Sequence, residues 1–316
     1  MEDSRGDTLV KSTVKYCSVG VGTILSNNLR LEATLYDIDG IEAKEIVSRY
    51  KHGVKKLTGN GGLATAYTCS RFKRPWVTDE SYPIYQPSAI VDVYPRPDGF
   101  IANTKGVDIE KLTVHKNQIL LTCSGTIGKI ALVSDTLNNK IFSHDLLRIN
   151  CLNSLDVGLV YAYLKTDLGQ KILLRNRYGA VVSHIESEHL DDVVIPDIPE
   201  ELKKKLNELI WESYRCRDES NKLLDEATSI LNAELHITDD LFATPPLYTY
   251  SMPLSQLFNR VDASNHLPLY DKIKNHLKNN AINVVNLGDQ SLTKEIGLPT
   301  RFNVNSALRA IIIFEP

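Results

Sequence analysis

The chain has 316 residues, 42% hydrophobic and 24% charged, with a formal net charge of −3. That length suits about two domains, and the proportions are those of an ordinary soluble protein. They exclude a uniformly basic DNA-coating protein, though not a local basic face, and no run of about 18 apolar residues is present to predict a membrane span.

Five cysteines (Cys17, Cys69, Cys123, Cys151, Cys216) are scattered and form no CxxC pair. This predicts a reduced, cytoplasmic protein without a disulfide framework or structural zinc. Residues 1–14 read as a polar leader rather than a secretory signal. A short helix is predicted over 39–47. Between Ile46 and Thr78 there is no Asp or Glu, while Arg49, Lys51, Lys55, Lys56, Arg71, Lys73 and Arg74 alternate with Tyr50, Tyr67, Phe72 and Trp76. Cations interleaved with aromatics on a glycine-broken segment suit phosphate contact and base stacking. The same run also fits a solvated basic surface beside a loop.

Residues 84–147 read as β-rich, with strands predicted at 89–94, 118–122 and 129–133. Ser124-Gly125-Thr126-Ile127-Gly128-Lys129 joins the last two. Only Thr126 and Ile127 separate its first glycine from the Gly-Lys pair, too few for a Walker A loop, so it reads as a tight turn. A further strand is predicted at 142–149. One helix is predicted over 156–176, with Val157, Val160, Tyr161, Leu164, Leu168, Ile172 and Leu173 on its apolar face. A short strand at 190–199 ends at Pro196 and Pro199.

From Glu200 the chain runs to Leu235 without Gly or Pro. Leu202, Leu206, Leu209, Ser213, Cys216, Ser220, Leu223, Ala227 and Ile230 alternate by four and three, a heptad seam widened by Ile210, Leu224, Leu231 and Leu235. Roughly 36 helical residues span about 54 Å. The small residues at mid-seam would admit a close partner helix.

No catalytic constellation stands out. His144, His184 and His189 lie in no HxxxH or HExxH frame and read as structural. There is no GxSxG elbow and no Asn-Pro-Pro-Tyr tetrapeptide. Asp197 with Glu201-Leu202-Lys203 is the nearest approach to a metal-nuclease motif, and it is too tightly spaced. No catalytic or metal-binding residue is predicted.

The tail restarts the head at an offset of about 230 residues, far too long a period for a solenoid. Arg30-Leu31-Glu32-Ala33 matches Arg260-Val261-Asp262-Ala263, Leu57 matches Leu287, and Arg71-Phe72 matches Arg301-Phe302. With the run from Arg260 to Pro268, the glycine turn, Tyr161-Ala162-Tyr163-Leu164, the stretch from Tyr178 to Ile185, Val194-Ile195-Pro196 and the long helix, this order resembles the specificity subunit of type I restriction-modification enzymes.

The resemblance implies a mixed α/β (α+β) fold. A β-rich target-recognition domain (1–198) would be followed by a coiled-coil-type spacer helix (199–237) and the truncated start of a second recognition domain (238–316). It implies a non-catalytic reader of double-stranded DNA that docks a DNA methyltransferase (modification) subunit and a restriction subunit. S-adenosylmethionine, ATP and Mg would belong to those partners, with no cofactor in this chain. Arg49, Lys51, Lys55, Lys56 and Lys73 would contact phosphates, as would Lys129 in the glycine turn. Arg71, Arg74 and Arg177 would read bases beside Trp76. The second copy stops at Pro316, and its 310–316 end departs from the head's Lys73-Arg74-Pro75-Trp76-Val77. A half-size subunit or a recombination cassette is therefore expected, self-associating through the 200–235 helix. Two other readings remain: a restriction or modification enzyme with an unrecognised site, and an interaction adaptor built on the helix.

Overall fold

A computed structural model describes residues 18–285 except 28, 79–80, 180, 243–248 and 257–261. The leader, Arg260, Val261, Leu287, Arg301, Phe302 and the 310–316 run lie outside the described residues. Contacts divide the chain into two units, 1–221 and 222–316.

The first unit holds, in chain order, α1 (Val21–Ser26), α2 (Ile38–Ser48), β1 (Val54–Lys56), β2 (Ala64–Tyr67), β3 (Trp76–Val77), β4 (Tyr82–Tyr85) and β5 (Gly99–Ile101). It continues with α3 (Ile109–Leu112), β6 (Ile119–Thr122), β7 (Ile130–Leu132), β8 (Ile141–Phe142), β9 (Leu146–Cys151), α4 (Asp156–Lys165), α5 (Asp167–Arg175), β10 (Val194–Pro196) and the first part of α6 (Glu200–Glu234). One four-stranded sheet has the order β2-β9-β6-β7 and is antiparallel throughout. A second has the order β3-β5-β4-β8, with β4 and β8 parallel, and β1 pairs separately with β10.

β6, β7 and most of β9 are buried on both faces, and strand alternation sorts their side chains. Ile119, Leu121, Ile130, Leu132, Leu147 and Ile149 share a core with Val157, Val160, Leu164, Ile172 and Leu173 of α4 and α5. Leu120, Ala131 and Leu146 turn the other way, toward Tyr85, Ile90 and Phe142. Each such Val, Leu, Ile or Phe side chain contributes about 1.5–3 kcal/mol by leaving water.

Several expectations are corrected. Residues 89–94 are not a strand: Pro87–Val91 forms a 3-10 turn that sends Ala89 and Ile90 inward. The expected strand at 142–149 is two strands, broken by Ser143-His144-Asp145. The helix expected over 156–176 breaks at Thr166, whose extended backbone ends α4 and whose hydroxyl accepts from the Gly169 N–H to cap α5. In the 190–199 stretch, a 3-10 turn at Ser187–Asp192 precedes the strand.

The long helix is one unbroken 35-residue element. Glu200 and Glu201 in its first turn complement its dipole. Most of its heptad seam is exposed, at Leu202, Leu209, Leu223 and Ile230, while Leu206 and the flanking Ile210 turn into the first unit. That edge of the seam docks together with the face beside it. Leu206, Ile210, Trp211 and Tyr214 pack against the α4–α5 core. Lys203 pairs with Asp156 at 2.9 Å, and Asn207 Oδ1 accepts the Gly158 N–H at 3.0 Å. The Tyr214 hydroxyl accepts the Leu132 N–H at 2.9 Å and donates to Tyr161 at 3.1 Å. Since β7 is an edge strand, Tyr214 satisfies a backbone donor that no neighbouring strand takes.

In the second unit, Leu235, Leu241 and Leu277 are buried among α6, α7 (Asp239–Phe242) and α8 (Pro268–Asn280). His276 Nε2 lies 2.8 Å from the Leu235 carbonyl. The internal repeat is legible in the backbone here. Glu32 (φ −63°, ψ 123°) opens a 3-10 turn at Ala33–Tyr36, and Asp262 (φ −70°, ψ 121°) opens one at Ala263–His266. A residue in the same conformation then leads into α2 in the head and α8 in the tail.

Candidate nucleic-acid interface

Three separate segments meet at an open cleft of about 830 Å³, lined by Arg71, Phe72, Lys73, Arg74, Trp76, Ser124, His144 and Asp145. The first segment runs into β3, where Trp76 pairs with Ile101 and remains 50% exposed. The second is the glycine turn between β6 and β7. Its Thr122 hydroxyl donates to the Thr126 carbonyl and accepts the Lys129 N–H. Gly128 has φ +90°, which a residue with a side chain rarely adopts. The third is the break between β8 and β9.

Arg148 holds that break in place. It is fully buried, and its guanidinium donates to the carbonyls of Phe142 and Leu146, one on each side of the break, and to that of Leu112. On β9 it occupies the face that carries Leu146, so the alternation puts a cation where an apolar residue would pack. Burial lowers its pKa from the ordinary arginine value.

His144 stands edge-on to Phe72, ring centroids 5.7 Å apart, and its Nε2 lies 3.4 Å from Asp145. Its pKa is lowered, first by burial and then by Arg74, Arg71 and Arg148, against the opposing pull of Asp145. The imidazole is therefore neutral near pH 7, with one donor and one acceptor. Among the described residues, Arg74 Nε, Ser143 Oγ, His144 Nδ1 and Arg148 Nε are buried without a protein hydrogen-bond partner. Arg74 Nη2 reaches Gln86 at 3.3 Å, and Gln86 in turn donates to Asp98. The cleft thus carries three cations, an exposed indole and a polar wall.

The cleft brings together Arg71, Lys73, Arg74 and Trp76 of the residues expected from sequence. It does not take in the others. Arg49 pairs with Glu45 at 3.2 Å on the surface of α2 and the turn after it. Lys55 pairs with Asp197 at 3.3 Å across β1 and β10, with Lys56 exposed on the same strand and Lys51 exposed before it. Lys129 is exposed in the glycine turn but does not line the cleft. Arg177 lines a separate depression of about 250 Å³ with Thr34, Asp37, Lys171 and Arg175.

His144 and Asp145 were missed as cleft residues, and Arg148 as the group that positions them. The available signal was the polar triplet Ser143-His144-Asp145, which interrupts an otherwise apolar run. Among the described residues, no three His, Cys, Asp or Glu side chains gather closely enough to hold a metal ion. None of the described helices is long and apolar enough to cross a membrane.

No family model matches the chain, and no curated protein matches it. Solved structures do. The HsdS subunit from Thermoanaerobacter tengcongensis matches with TM-score 0.37 and 14% identity, over 63% of this chain and 49% of that one. The type I restriction-modification S subunit from M. genitalium matches with TM-score 0.36 and 16% identity, over 74% and 55%. The type IIG restriction endonuclease BpuSI matches with TM-score 0.37 and 13% identity, over 60% and 30%. The chain spans about half the length of the two S subunits.

Proposed function

We propose that this chain is a DNA-recognition subunit of the type I restriction-modification kind, which selects a site on duplex DNA for separate catalytic partners. The observation that carries the reading is the cleft: Arg71, Lys73 and Arg74 beside an exposed indole, with a neutral histidine and a carboxylate in its wall. Guanidinium and ammonium groups grip phosphates, and arginine also forms paired hydrogen bonds to guanine. The order of sequence features that resembles specificity subunits supports the same reading.

In this reading the domain limits are 1–198, 199–237 and 238–316, and the chain works in the cytoplasm. A DNA methyltransferase subunit and a restriction subunit dock on it and supply the chemistry with S-adenosylmethionine, ATP and Mg. The exposed heptad seam of α6 favours self-association of two copies, which would set two recognition domains about a two-fold axis. Arg49, Lys51, Lys55, Lys56 and Lys129 serve as outlying phosphate contacts, and Arg177 remains a base-reading candidate apart from the cleft.

A salt series of duplex binding by the full chain tests the proposal. Arg71→Ala with Arg74→Ala should weaken binding by a few kcal/mol, since each good base contact is worth about 1–3 kcal/mol. Where either arginine also touches a phosphate, the salt slope should fall by about 0.9 per contact. Unchanged affinity and slope would remove the cleft from the interface. Cleavage or methylation of DNA by the isolated chain, supplied with metal and S-adenosylmethionine, would show that it is an enzyme instead.

A further inference from the structure

Asp145 is a carboxylate set among cations and paired with none of them. It lines the cleft with Arg71, Lys73 and Arg74. Among the described residues its one side-chain partner is His144 Nε2, at 3.4 Å, and its own side chain is only 30% exposed. That imidazole is neutral near pH 7. Other partly exposed carboxylates of the same unit are fully engaged. Asp218 takes four hydrogen bonds, Asp192 pairs with Lys44 and Arg175, and Asp197 pairs with Lys55 and Lys203. Drawing a carboxylate partly out of water without donors costs free energy. Such local costs collect where a protein meets a ligand.

The backbone beneath Asp145 is fixed. The Cys123 N–H donates to its carbonyl at 3.5 Å, and the Ser143 N–H to that of Tyr85 at 3.0 Å. Arg148 grips the carbonyls on both sides of the break. The carboxylate is therefore placed by β8 and β9, in the same cleft as the two arginines.

We infer that Asp145 is a specificity-determining residue, which accepts a hydrogen bond from the N4 amino group of a cytosine in the major groove, beside the guanine read by Arg71 or Arg74. This rests on the DNA-reading function proposed above and adds one of the bases that is read. A duplex seated in the cleft brings phosphates and base edges to its wall. Phosphate oxygens are anionic acceptors and repel a carboxylate, so Asp145 is matched only by a donor. The major-groove donors are the amino groups of cytosine and adenine. Adenine sets its N7 acceptor beside that amino group, against an acceptor-only side chain. Cytosine carries no acceptor on its major-groove edge. Arginine supplies the complement, since its forked donors match O6 and N7 of guanine.

The test uses the full chain and duplexes enriched by it from a randomised pool. Asp145→Ala should lose the preference for C·G at one position and keep every other preference. Exchanging that pair for T·A replaces the amino donor by the O4 acceptor, and should weaken wild-type binding about tenfold while leaving the Ala variant indifferent. The salt slope should not change, because no phosphate contact is lost. Asp145→Asn should move the preference at that position from cytosine to adenine, whose N6 and N7 an amide matches. Thermal unfolding of both variants should match wild type, because the carboxylate holds no other element in place. Identical preferences in wild type and Asp145→Ala would overturn the inference. So would tighter binding of every duplex by Asp145→Asn with all preferences intact, which would show that the carboxylate only repels the backbone. Failure of wild type to enrich any duplex would instead refute the DNA-reading function itself.

Discussion

Asp218 joins α6 to the turn after β7 by four hydrogen bonds, and replacing it by Ala should loosen that joint measurably. Its carboxylate accepts from the Ser134 hydroxyl at 2.7 Å, the Thr136 hydroxyl at 2.6 Å, the Thr136 N–H at 3.0 Å and the Asp135 N–H at 3.1 Å. A hydrogen bond to a charged group is worth about 1.5–3 kcal/mol, but both hydroxyls can turn to water once the carboxylate is gone. The Asp135 N–H is already at the surface. The loss then falls mainly on the part-buried contacts of Thr136 and Ser134, giving about 3 kcal/mol rather than the sum of four bonds. In urea this is a fall in midpoint of about 1 M at unchanged slope, followed by the fluorescence of Trp211 on the same helix face. Burial alone would raise the Asp218 pKa, yet the hydrogen bonds from Thr136 and Ser134 outweigh it and hold it below the ordinary carboxylate value. The sign of the pH dependence follows. The contribution is complete above the unfolded value of about 3.9 and is lost as pH falls through the lower folded value. Wild type and variant should converge in acid. A midpoint shift under about 0.2 M at neutral pH, or a gap that persists in acid, would refute the role given to this carboxylate.

Arg148→Met should destabilise the first unit by about 2 kcal/mol, since three buried carbonyls lose their donor. The NMR signals of His144 should shift with it, and an unchanged urea midpoint would show that the guanidinium contributes nothing net. Gly128→Ala should cost about 1–2 kcal/mol for the positive φ, because the new Cβ would meet Gln170 Oε1 at 2.6 Å. Gln170 cannot readily yield while it donates to the carbonyls of Gly128 and Leu164. A midpoint equal to wild type would contradict that. Leu223→Glu with Ile230→Glu should leave the Trp211-detected midpoint unchanged and turn a self-associating chain into a monomer by light scattering. A wild-type chain that is already monomeric at micromolar concentration would remove the seam from any self-association.

The sequence made the central sheet legible where burial is total. Ile119-Leu120-Leu121 and Ile130-Ala131-Leu132 are apolar on both faces, and the Gly125–Gly128 turn has one geometric use between them. It misled where one polar interruption decides the structure. The 142–149 run reads as a single strand by composition, but Ser143-His144-Asp145 breaks it. Thr166 breaks the 156–176 helix in the same way, through a hydroxyl cap that hydrophobic periodicity does not register. The basic segment was visible as composition. Its division into a cleft set (Arg71, Lys73, Arg74, Trp76) and an outlying set (Arg49, Lys51, Lys55, Lys56) was not, because only the fold shows which cations line the cleft and that Lys55 meets Asp197 across the chain, although the local Glu45–Arg49 pair lies within one helical turn.

The long helix shows why one sequence pattern can be real and still point away from the contact that is made. The heptad seam through Leu209, Leu223 and Ile230 is apolar, yet it faces solvent. The face that docks is marked by Lys203, Asn207, Tyr214, Asp218 and Asn221, which a hydrophobicity scan passes over because their bonding partners are polar. Asp156 for Lys203, and Ser134 and Thr136 for Asp218, lie far away in the chain. Polar anchors of this kind fix position sharply, since each bond fails with a small displacement, whereas an apolar seam is tolerant of its partner. A helix locked to its domain by directional bonds keeps a fixed orientation relative to the basic cleft, while most of its apolar stripe is left exposed.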